Sequence, residues 1–194
     1  TLYSSVSNCL IRGNRAFSRG GGLFLDNIYI QPPGGGTYSL RIDHCTFAEN
    51  EASVLGGGVF AERALFCTFD IDNCIVWNNR SVTGRNIALR GDEISRLKVA
   101  WSDIDTSEGS VAKDPGWSIA WGHGIISQDP LFVAGPGNSL RLSHTETGQP
   151  VTSPCVDAAS ADAAETCFHG ACLTMYSTRT DGIPDSDIAD MGFH

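Results

Sequence analysis

The sequence contains no apolar run approaching the roughly 18 residues that a membrane-crossing helix needs, so no such span is expected. Lysine is scarce, confined to Lys98 and Lys113, and the formal charge is −9. That charge argues against generic nucleic-acid binding, which needs a basic face. The negative charge reads as solubility rather than recognition. No G-x-S-x-G elbow and no H-E-x-x-H pair occurs. Ser102 has no partner His at a recognisable position, so nothing names a nucleophile. The triple glycines Gly20–Gly22 and Gly56–Gly58 precede apolar strands rather than helices, which excludes a phosphate-cradling loop. The chain opens at Thr1, inside a repeat already in progress, which predicts a processed or excised fragment.

What the sequence has is a repeat. The segments at 7–14, 43–50 and 72–79 align, with Cys9, Cys45 and Cys74 in register and Asn14, Asn50 and Asn79 following. The copies are spaced by 36 and then 29 positions. Gly20–Gly22 ahead of Leu23-Phe24-Leu25 recurs as Gly56–Gly58 ahead of Val59-Phe60-Ala61, and decays to Gly84-Arg85-Asn86 ahead of Ile87-Ala88-Leu89. Within the central copy, Leu40 and Ile42 alternate with Arg41 and Asp43, the signature of a half-buried strand. A lone unit of this kind cannot bury its apolar side, but stacked units continue one core. Variable spacing is absorbed by loops, the longest at 30–37. The pattern predicts an all-β chain, a right-handed parallel β-helix over residues 1–128. Residues 129–194 are expected to form an irregular cap packed on it.

Phe47-Ala48-Glu49-Asn50 with Gly56-Gly57-Gly58-Val59 resembles the FxxN and GGA[ILV] repeats of polymorphic outer-membrane-protein β-helices. Ile11 to Asn14 and Val76 to Asn79 are degenerate copies. Further on, the segments 122–133, 138–142, 153–159 and 178–194 resemble, in that order, a choice-of-anchor-Q type C-terminal region. Two departures are the broken third glycine block and the inserted-looking 165–173. The resemblance implies a secreted or surface-displayed β-helix, a pectin-lyase-like solenoid usually without an assigned reaction.

Cys9, Cys45, Cys67 and Cys74 fall on the inward phase and read as small buried thiols, as does Cys155. Cys167 and Cys172 are close together in a loop-like insertion. A local disulfide is expected there, with free thiols or a Cys167-His169-Cys172 metal site as the other options.

The outward phase carries Arg41, Asp43, Asp70 and Asp72, which the 29-residue spacing places on adjacent repeats, Asp43 over Asp72 and Arg41 over Asp70. Such a column suits a calcium site or an acid/base pair on a sugar-binding groove, or else a solvated face with an Arg–Asp pair. Lys98 stands nearest in phase on the next strand, and Asn8, His44 and Asn73 form a neighbouring column. Trp117 and Trp121 lie in a Gly-rich polar stretch, where they could stack on sugar rings, pack against another protein or fold back over the open side. His123 reads as structural. Asp92, Glu93, Asp103 and Asp105 suggest a rim calcium site or simple loop decoration. Alternating Asp over 181–190, with Asp181, Asp185 and Asp187 as the candidate ligands, suggests a calcium loop, although the EF-hand spacing is absent. Calcium is thus the one cofactor considered.

Three functions stay open at this level. One is a non-catalytic extracellular or cell-surface module, acting as adhesin, stalk or matrix component toward polysaccharide or surface proteins. Another is a polysaccharide-active enzyme using Asp43, Asp70 and Asp72. The last is a subunit of a filament or larger assembly, self-associating through its first repeat.

Overall fold

A computed structural model of the chain describes residues 2–26, 38–62, 67–91 and 95–194. The loop expected at 30–37 and the acidic pair Asp92 and Glu93 lie outside the described residues. The protein is all-β, with parallel sheets at its centre and no α-helix among the described residues. The first sheet contains Leu2–Ser7, Tyr38–Asp43, Cys67–Asp72, Ser95–Ala100 and Trp117–Trp121. The second holds Leu10–Arg12, Thr46–Ala48, Ile75–Trp77 and Asp103–Ile104. The third holds Leu23–Asp26, Val59–Glu62, Ile87–Arg90 and Val111–Lys113. Each successive pass of the chain visits these sheets in the same order.

The register follows the spacing of the repeats. Ile42 pairs with Ile71 and Ile71 with Val99, while Leu40 pairs with Phe69 and Phe69 with Leu97. Buried and more exposed residues alternate along Cys67–Asp72 and Ser95–Ala100, as a half-buried strand requires. One apolar cluster draws on all three sheets, with Ile42 and Ile71 from the first, Phe47 and Val76 from the second, and Val59 and Ile87 from the third. Each such side chain contributes about 1.5–3 kcal/mol when removed from water.

The corners between strands explain the polar landmarks. Where the chain leaves the first sheet, Asn8, His44, Asn73 and Trp101 all take positive φ, between 47° and 54°. Asn and His tolerate that region better than most side chains. Gly20, Gly56 and Gly84 take it ahead of the third sheet. At the bend after the second sheet, the asparagines form a ladder. Asn14 Nδ2 donates to Asn50 Oδ1 (3.0 Å), Asn50 Nδ2 to Asn79 Oδ1 (3.0 Å), and Asn79 Nδ2 to Asn86 Oδ1 (2.9 Å). The decayed glycine block acquires a reason here. Asn86 occupies the position of Gly58 in the next pass and ends the ladder, itself donating to Ser110 Oγ (2.9 Å).

The second sheet is covered on both faces. Its outward column, Leu10, Thr46, Ile75 and Asp103, meets the C-terminal region instead of water. There Ile75 packs with Leu142, Cys155 and Met191. Backbone bonds seat the last residues: Gly192 N–H on Asn73 O (2.8 Å), Phe193 N–H on Thr46 Oγ1 (3.0 Å) and His194 N–H on Asn8 Oδ1 (2.9 Å). Residues 129–194 therefore run along the side of the stacked strands. Their regular structure is limited to the antiparallel pairs Phe132–Ala134 with Leu140–Leu142 and Cys167–Phe168 with Ala171–Cys172, plus short 3-10 turns.

Candidate functional site

The outward face of the first sheet brings the expected column together. Asp43 is opposite Asp72, Arg41 opposite Asp70, and Lys98 opposite Asp70 on the next strand. Arg41 serves two acids, with Nη2 3.1 Å from Asp43 Oδ2 and Nε 3.7 Å from Asp72 Oδ2. Lys98 Nζ lies 3.8 Å from Asp70 Oδ1. Asp43 is the most enclosed of the three acids. Its Oδ1 accepts from His44 Nδ1 (2.9 Å) and from Asn73 Nδ2 (2.9 Å). Burial alone would raise its carboxyl, but His44, Asn73 and Arg41 outweigh that and hold it below the ordinary value. Burial pushes Asp72 up, helped by Asp43 and Asp70 and opposed by Arg41 and Lys98.

His44 is enclosed as well, at 1% exposure, with its ring 5.5 Å from Phe168 and 5.8 Å from His194. Its burial disfavours the imidazolium despite Asp43 beside it. Its Nε2 has no hydrogen-bond partner. The neighbouring column of the sequence thus becomes a seam. Asn8, His44 and Asn73 meet the C-terminal region, Asn73 Oδ1 accepting Ser160 N–H at 2.9 Å.

No family model, curated protein or solved structure matches this chain. What the site can do therefore rests on its geometry.

The two tryptophans part company. Trp117 is buried, stacks on Phe69 at 5.4 Å and donates Nε1–H to Arg90 O at 3.1 Å, so it closes the core. Trp121 is 45% exposed and borders a 450 Å³ hollow shared with Asp70, Asp72, Arg96 and Lys98. In the sequence these acids and this indole lie far apart, and the parallel register makes them one surface. Asp103 faces outward from the second sheet but lies beneath the C-terminal region, where it accepts from Gln128 N–H (3.2 Å) and Cys155 Sγ (3.2 Å). Asp105 caps Ser107 N–H (2.9 Å) instead.

Cys167 and Cys172 form a disulfide across their hairpin, while the other five cysteines are thiols. Asp181 grips Arg179 through both oxygens, at 3.1 and 2.8 Å. Asp185 Oδ2 instead lies 2.7 Å from His194 Nε2, and Asp187 is exposed. Among the described residues, the metal-capable group with donor atoms within 4.8 Å of one another is Asp185, Asp190 and His194. Sequence reasoning singled out the acidic stretch 181–190 but missed His194 and His144 as its partners. Only a fold that returns the chain's last residues to the stack could have gathered them.

Proposed function

We propose that this chain is a non-catalytic extracellular or cell-surface module that binds polysaccharide through the outer face of its first sheet. In this reading the strands wind as a right-handed parallel β-helix resembling the polymorphic outer-membrane repeats, and 129–194 serve as an anchor-Q type flank. The observation that carries the proposal is the state of the acids. Asp43 has both oxygens engaged, and Arg41 and Lys98 already face Asp72 and Asp70. Such a face offers hydrogen bonds and an aromatic border, at Trp121, more readily than a free acid and base. An oxidised Cys167–Cys172 bridge suits an extracellular setting.

Incubation with neutral and acidic polysaccharides tests both halves. The expected result is saturable binding with no new reducing ends and no unsaturated products, and binding weakened roughly tenfold or more by Trp121→Ala. Chain cleavage that disappears in Asp72→Asn would replace this reading with the enzymatic one. That alternative has one observation in its favour, the raised carboxyl of Asp72 beside Arg41. The assembly alternative makes its own demand, a solution mass that rises with concentration.

A further inference from the structure

The C-terminal region encloses a polar pocket of 350 Å³ whose walls include Glu146, Asp157, Asp185, Asp187 and Asp190. Five carboxylates there face one guanidinium, Arg179, which Glu146 and Asp181 already hold. Crowded acids alone would not make a site. Two nitrogen donors do. His144 lines the same pocket, its side chain is 9% exposed, and its Nε2 has no hydrogen-bond partner. That nitrogen lies 3.7 Å from Asp190 Oδ2. His194 is wholly buried, with Nε2 2.7 Å from Asp185 Oδ2 and Nδ1 3.1 Å from Gly192 O. A carbonyl can only accept, so Nδ1 carries the hydrogen and orients Nε2 toward the acids. Metal-bound histidines are held by this same outer hydrogen bond.

We propose that Asp185, Asp190 and His194, with His144 as fourth donor, bind one divalent first-row transition ion of the zinc type. Ligands about 2.0–2.1 Å from a shared ion stand roughly 3–3.5 Å apart, so the Asp185–His194 contact opens by a few tenths of an ångström. Calcium prefers six to eight oxygens, whereas imidazole pairs favour zinc, cobalt or nickel. The ion locks the C-terminal region in place, because Gly192, Phe193 and His194 are the residues whose backbone N–H groups hold Asn73, Thr46 and Asn8.

The test uses the 194-residue chain, stripped with a chelator and titrated with Zn²⁺, Co²⁺ and Ca²⁺ while thermal unfolding is followed. One Zn²⁺ per chain should bind and raise the unfolding midpoint, Co²⁺ should develop ligand-field absorption, and Ca²⁺ at equal concentration should do neither. His144→Ala should weaken Zn²⁺ by at least roughly tenfold. Its Nε2 makes no hydrogen bond that the variant would lose, and the unfolding curve of the metal-free variant checks that it keeps its fold. Asp181→Asn should bind as the parent does. The proposal is overturned by the absence of saturable binding, by unchanged affinity in His144→Ala, or by Ca²⁺ matching Zn²⁺.

Discussion

Asp103 shows how one residue can report the whole arrangement. Its position on the second sheet faces outward, yet the C-terminal region covers it completely, and burial pushes its carboxyl up to about 6. An unfolded Asp titrates at about 4. Below that pH both states hold the proton. Between about pH 4 and 6 only the folded chain retains it, so stability falls as pH rises through this window. A difference of that size between the folded and unfolded carboxyl corresponds to on the order of 3 kcal/mol. Asp103→Asn keeps an acceptor for Gln128 N–H and cannot ionise. We expect its urea-unfolding free energy to lose less between about pH 4 and 7 than the parent's by an amount of that order. Identical pH profiles for the two proteins would contradict the buried placement of this carboxylate.

The strand and its corner are legible in sequence because their period is local. Alternation in Leu40 to Asp43 marks the inward face, and repeated Asn and Gly mark the bends. The ladder makes this quantitative. Asn79 accepts from Asn50 N–H (2.9 Å) and Nδ2, and donates to Phe47 O (2.9 Å) and Asn86. Asn79→Ala leaves a buried N–H and a buried carbonyl without those partners, and should cost roughly 2–4 kcal/mol in denaturant unfolding. Asn14→Ala, at the exposed end of the same ladder, should cost less than about 1 kcal/mol. The hairpin that carries the disulfide sets Phe168 against His44. Replacing Cys167 and Cys172 together by Ser should lower stability by about 2 kcal/mol, the loop-closure value for so short a ring.

Across the whole molecule, the decisive event is the return of the C-terminal region to the second sheet. Gly192 sits at φ +88°, and a Cβ there would lie 2.6 Å from Thr46 Oγ1 and 2.8 Å from Ile75 Cδ1. Gly192→Ala should therefore cost roughly 2–4 kcal/mol. Hydrogen exchange should quicken first at residues 185–194, while amides of the first sheet stay protected. Uniform loss of protection would mean that the two parts unfold as one.

Stacking in register, the inward thiols and the asparagine bends follow from the sequence alone, because each repeat carries its own apolar period and turn residues. Arg41, Asp43, Asp70 and Asp72 could be aligned from the 29-residue spacing for the same reason. The partners of His44, the covering of Asp103, the separate fates of Trp117 and Trp121, and the gathering of His144, Asp185, Asp190 and His194 required the tertiary structure. These depend on contacts between residues far apart in the chain, and no local period encodes which surface a non-repeating segment will cover.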